Sequence, residues 1–226
     1  MEEQKGVSYA KLNQLYLRRK DTFNRHFDSR MRRALSWLKR AEQDTNDPHA
    51  GFIFYWISLS AGYSPDFEGI GTKEAALQYK YFSMITACDS QSLISDLVWQ
   101  KCQVEIKRLL KNKFIYRPFW ETPDPVTDVS WKSSFREQGR QIDTAFENQN
   151  TAKVLRILFG RLYVLRNQLV HGNATWNGRR NRPQVEDGHK IISKLQPLFL
   201  LMMLNNPTLN WGKVSFDLYA EGFDDY

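Results

Sequence analysis

Hydrophobic positions recur at helical spacing over most of the chain. Between Thr151 and His171, Leu155, Leu158, Leu162, Leu165 and Leu169 fall within roughly an 80° sector at about 100° per residue, which predicts a core-facing helix. Similar periodicity predicts helices over about 9–27, 28–43, 73–88, 92–112, 130–148 and 183–204. The run Phe52-Ile53-Phe54-Tyr55-Trp56-Ile57 suits a strand on composition alone. Its continuation through Ser58-Leu59-Ser60-Ala61 to Tyr63, with no partner strand nearby, favours a buried helix.

Breaks between these segments follow from turn chemistry. Asp28 is expected to cap the second helix by accepting from its free backbone N–H groups. Asp47-Pro48 punctuates the chain, Gly62 to Gly71 reads as a loop, and Thr72 is a plausible cap for the next helix. Residues 114–130 carry three prolines and form an irregular connection. Pro183 fits the first turn of the last helix, whereas Pro197 should kink or break it, because proline lacks an N–H and clashes with the preceding turn. No internal repeat or linker is visible. The chain therefore reads as one all-α domain over 1–226, with an acidic tail over about 205–226.

Composition narrows the class. With 226 residues, 42% of them hydrophobic and 14% aromatic, the chain can bury a full core, which excludes disorder as its main state. The longest apolar run, Pro197 to Leu204, is far short of the roughly 20 residues a spanning helix needs, so no membrane partner is expected. The start Met-Glu-Glu-Gln-Lys shows no secretory signal, and Cys88 and Cys102 form no CxxC pair. A cytoplasmic location with reduced thiols is the expectation.

Charge is distributed unevenly. The chain carries a net +7, and residues 151–200, with nine basic and two acidic side chains, hold a surplus equal to that of the whole. An acidic partner follows, nucleic acid first among them; an uneven solvated surface is the plainer alternative. Familiar catalytic motifs are missing: there is no GxSxG, HExxH or GxxxxGK[ST]. Gly69-Ile70-Gly71-Thr72-Lys73 lacks the preceding strand a phosphate loop requires and reads as a turn with a cap. Histidines 26, 49, 171 and 189 are dispersed without metal-ligand spacing, so neither metal nor cofactor is expected.

Opposite the leucine stripe lie Arg156, Gly160, Asn167 and His171, with Arg166 flanking them and Gly172 placed to end the helix in the left-handed conformation. From Lys153 to His171 no residue is acidic. Gly160 costs about 1 kcal/mol against alanine in mid-helix, which predicts that another backbone approaches it. Such a face suits RNA cleavage without metal. Histidine can move a proton at the attacking 2′-OH or the leaving 5′-oxygen, arginine offers a planar fork to the developing phosphorane charge, and asparagine can orient either group. One helix supplies one histidine; a two-fold dimer would supply a second set. A histidine in the last turn that merely favours the helix dipole is the plainer reading of His171.

Arg166-Asn167-Gln168-Leu169-Val170-His171, followed by Gly172, resembles the R-N-x-x-x-H signature of HEPN domains. These are all-helical proteins that include many metal-independent ribonucleases of toxin–antitoxin and phage-defence systems. The segment Phe52-x-x-x-Trp56-Ile57-x-x-x-Ala61-x-Tyr63 is similar to a core helix common in bacterial members. The resemblance implies a HEPN-type helical bundle over about 30–204, with residues 114–148 and the N-terminal arginine-rich stretch as elaborations. It implies a homodimer with a composite site, His171 as acid and base, Arg166 on the phosphate, and Asn167 as the polar residue beside it. An antitoxin or regulatory protein is a further implied partner. The following loop, Asn173 to Arg182, offers Trp176 for base stacking and Arg179, Arg180 and Arg182 for RNA phosphates, with Arg156 as an additional contact. The arginines of 18–40 read as the wet side of amphipathic helices, with an extended binding surface as the alternative. A non-catalytic module that binds nucleotide, RNA or protein is the alternative function.

Overall fold

A computed structural model describes residues 6–43, 46–63 and 74–214. Among these residues ten α-helices run in order: α1 Tyr9–Arg19, α2 Arg25–Gln43, α3 Pro48–Tyr63, α4 Glu74–Ala87, α5 Leu93–Asp96, α6 Gln103–Leu110, α7 Arg117–Glu121, α8 Trp131–Glu147, α9 Thr151–Val170 and α10 Arg182–Asn205. No strand occurs among the described residues, and the fold is all-α. The aromatic segment is helix α3, as its length predicts.

Several boundaries differ from expectation for identifiable reasons. The first helix stops at Arg19 and passes through a 3₁₀ turn, Lys20–Thr22. Helix α2 then begins at Arg25, capped by Asn24, whose Oδ1 accepts from the Phe27 N–H at 3.0 Å. Asp28 is inside that first turn and does other work: it accepts from the Tyr16 hydroxyl at 2.5 Å and pairs with Arg32 at 2.5 Å. Burial, reinforced by Asp28, pushes the Tyr16 phenol up to about 12. The expected single helix over 92–112 is split by a π turn at Leu97–Lys101, closed by the Cys102 N–H on the Leu97 carbonyl at 2.9 Å. Pro197 neither ends nor breaks α10, which runs through it in the buried core. The loop after Gly62, the Gly69–Lys73 stretch with its Thr72 cap, and the acidic end at 221–226 lie outside the described residues. Within the expected tail, Trp211 is packed into the core, and the buried Arg30 donates to the Gly212 and Lys213 carbonyls.

The core sits where α3 packs between α2 and α10 and where α9 packs on α4. Trp56, Phe82, Phe159 and Phe199 join α3, α4, α9 and α10 through ring contacts, the closest being Phe82–Phe159 at 4.7 Å. Helix α10 crosses closely at Gly188, where a Cβ would stand 3.1 Å from both Leu162 and Phe52. A small second cluster, Tyr116, Phe119 and Trp131, is built by the connection around α7 together with the start of α8. Arg161 of α9, 3% exposed, reaches into it with its guanidinium 4.2 Å from the Tyr116 ring centre and 5.1 Å from Phe135.

Candidate functional site

Helix α9 carries Arg166 and Asn167 and ends at His171. Asn150 caps it, accepting from the Lys153 N–H at 3.0 Å. Leu155, Leu158, Leu162 and Leu165 are fully buried and Leu169 packs half-buried against them, so the opposite face is fixed in orientation. At the far end the His171 N–H donates to the Asn167 carbonyl at 3.0 Å. Gly172, at φ +70°, closes the helix with its N–H on the Leu169 carbonyl. That left-handed ending is the one the sequence predicts. Gly160 is different. It is exposed, and nothing among the described residues stands within 4 Å of where its Cβ would be, so the expected close approach does not occur among them.

The three motif residues occupy distinct settings. Arg166 is half-buried, its guanidinium 4.7 Å from the Tyr163 ring centre and 5.6 Å from that of Trp56 on α3. Two aromatic faces thus hold the planar fork in place. Asn167 is half-buried, with Oδ1 buried and lacking a hydrogen-bond partner among the described residues. His171 is exposed at the helix end.

Beside Asn167 lies a groove of about 980 Å³. Its floor is Tyr163, Val164, Asn167 and Gln168 of α9, and one wall is Arg117, Trp120 and Glu121 of α7. The loop after α9 forms the other wall and contributes Thr175, Arg179 and Arg180. Arg166 and His171 do not line this groove, although each adjoins Asn167 along or across the helix. The α7 wall is tied to the floor by one acceptor. The Phe114 carbonyl receives both the Trp120 indole N–H at 2.8 Å and the Gln168 amide at 2.9 Å. Arg117 pairs with Glu121 at 2.7 Å.

The remaining candidates from the sequence divide. Arg179 and Arg180 line the groove and are exposed. Trp176 is 70% exposed but lies off the groove, its indole donating to Asp47 Oδ2 at 3.0 Å. Asp47 also accepts from the first amides of α3, His49 at 2.8 Å and Ala50 at 3.2 Å. Burial raises this carboxyl, but the Trp176 and backbone bonds outweigh burial and hold it below the usual carboxylate range. Arg182 anchors the loop by donating to the Asn177 carbonyl at 2.7 Å. Arg156 is elsewhere, about 22 Å from His171 along the axis at 1.5 Å per residue, with its guanidinium over Tyr79. Arg117 and Trp120 are among the groove residues the sequence reading missed. The available signal was a tryptophan three positions after an arginine in an irregular connection.

Compared with protein-family models, curated proteins and solved structures, the chain matches none. Among the described residues no group of three His, Cys, Asp or Glu side chains could hold a metal ion, and no helix is long and apolar enough to cross a membrane.

Proposed function

We propose that the protein is a metal-independent endoribonuclease of the HEPN type, acting as a homodimer in a toxin or phage-defence setting. The observation that carries this reading is the R-N-x-x-x-H set at the C-terminal end of α9: an exposed His171 one turn from Asn167, next to an Arg166 whose guanidinium lies against the Tyr163 and Trp56 rings. In the reaction, the base form of one histidine takes the proton of a 2′-OH as its oxygen attacks the adjacent phosphorus. The P–O5′ bond breaks, the second histidine of the dimer protonates the leaving 5′-oxygen, and a 2′,3′-cyclic phosphate remains. Arg166 meets the charge that builds on the phosphorane. Arg179 and Arg180 supply strand attraction.

The test is incubation of the purified protein with mixed RNA in EDTA. Cleavage with cyclic-phosphate ends is expected, and His171→Ala and Arg166→Lys should each lower the rate by roughly 10²-fold or more. Arg166→Lys keeps the charge but loses the fork and the ring stacking. Cleavage that survives both substitutions, or that disappears on adding EDTA, overturns the reading.

A further inference from the structure

We propose that the groove between α7 and α9 is a binding site for one unpaired nucleotide of an RNA strand, with the base against Trp120 and the phosphates on Arg179 and Arg180. The proposal rests on the ribonuclease reading for its RNA strand and shares Asn167, Arg179 and Arg180 with it, while Trp120 and the α7 wall belong to the groove alone and neither Arg166 nor His171 lines it.

Three observations define the ligand. Trp120 is 55% exposed on the wall, yet its ring is fixed: the indole N–H is bonded to the Phe114 carbonyl, and the ring stands edge-on to Phe119 at 5.1 Å and 88°. A held indole with an open face suits a flat π system, and each nucleobase has one. On the floor, the Asn167 side chain lines the groove and offers an amide to the polar edge of a base. Across the groove, Arg179 and Arg180 are exposed, while Arg117 on the opposite wall is already paired with Glu121. The open positive charge therefore lies on one side, which orients phosphate away from the ring wall.

Both walls are set in advance. The shared Phe114 carbonyl locks α7 to α9, and the bonds from Arg182 to Asn177 and from Trp176 to Asp47 hold the loop at two points. Little ordering is left for the ligand to impose. An acidic peptide would satisfy the arginines but would leave the Trp120 face without an aromatic partner.

The experiment measures binding of a fluorescently labelled hexanucleotide carrying 2′-O-methyl groups throughout, which lacks the attacking hydroxyl and so cannot be cut. The wild-type chain should bind it. Trp120→Ala should weaken binding about tenfold or more and Trp120→Phe should restore most of it, as base stacking requires. Replacing Arg179 and Arg180 together by Ser should weaken binding and flatten its salt dependence by roughly one charge-release increment per arginine. An abasic strand with the same phosphates should bind as weakly as the Trp120→Ala protein binds the normal strand. Equal binding of abasic and normal strands, full displacement by polyglutamate at matched charge, or wild-type affinity in Trp120→Ala would each overturn the proposal. The two readings fail separately. Binding without any RNA cleavage removes only the ribonuclease, and cleavage at unchanged KM in Trp120→Ala removes only the nucleotide groove.

Discussion

Arg161 is a buried cation with no carboxylate beside it among the described residues, and replacing it by methionine should leave stability nearly unchanged. Burial pushes its guanidinium down to about 10. At about 1.4 kcal/mol per tenfold change in acidity, keeping it charged costs the fold about 3 kcal/mol. Opposing this are the faces of Tyr116 and Phe135, together worth about 2 kcal/mol when desolvated, and one long hydrogen bond to the Leu110 carbonyl at 3.3 Å, worth about 1 kcal/mol. Nε and Nη1 add nothing, being buried without partners. The charge thus nearly cancels, and the aliphatic stem, which methionine reproduces, is what packs. Arg161→Met should shift stability by less than about 1 kcal/mol, or about 2–4 °C in Tm for a chain of this size. Arg161→Ala deletes the stem as well and should cost about 2–4 kcal/mol. Thermal unfolding followed by circular dichroism measures both. If methionine lowers Tm as much as alanine does, the guanidinium has a favourable engagement that this reasoning denies.

Two further outcomes follow from titration and backbone geometry. His189, packed beside the Tyr55 ring, is held below the ordinary imidazole range by burial, with Asp47 partly opposing. The unfolded chain therefore takes up a proton that the folded chain resists, so stability should fall as pH drops below about 6.5. His189→Gln should flatten that slope in urea melts at pH 7 and pH 5, and an unaltered slope would assign the acid sensitivity to other groups. Gly172 sits at φ +70°, so Gly172→Ala should lower stability by about 1 kcal/mol while Gly172→Asn costs less; equal Tm values for alanine and glycine would contradict the strain.

What the sequence disclosed depends on whether periodicity alone decided the element. Helix α9 was legible because its leucines keep one face over about four turns and a glycine marks its end. The segment over 92–112 was not. There the buried residues Ile94, Val98, Cys102, Ile106 and Leu110 recur every four positions, and such a stripe drifts by about 40° per step on a 3.6-residue helix. The π turn at 97–101 takes up that drift, a tertiary adjustment that composition does not signal. Pro197 misled for a similar reason: deep packing of α10 outweighs one missing bond. Of the groove, the α9 floor and the arginine wall were readable. The α7 wall depends on a carbonyl shared by Trp120 and Gln168, residues 48 positions apart, and no local pattern announces such a meeting.

The two oxygens of Asp47 have an evolutionary consequence. One holds the opening amides of α3, the most apolar helix in the core, and the other holds the loop beside the groove through Trp176. A change at Asp47 that frees the loop also frays a core helix, so selection cannot tune loop mobility there without a penalty in folding. Variation that adjusts the loop is instead channelled to Trp176, where losing the indole N–H releases the loop and leaves the α3 cap intact.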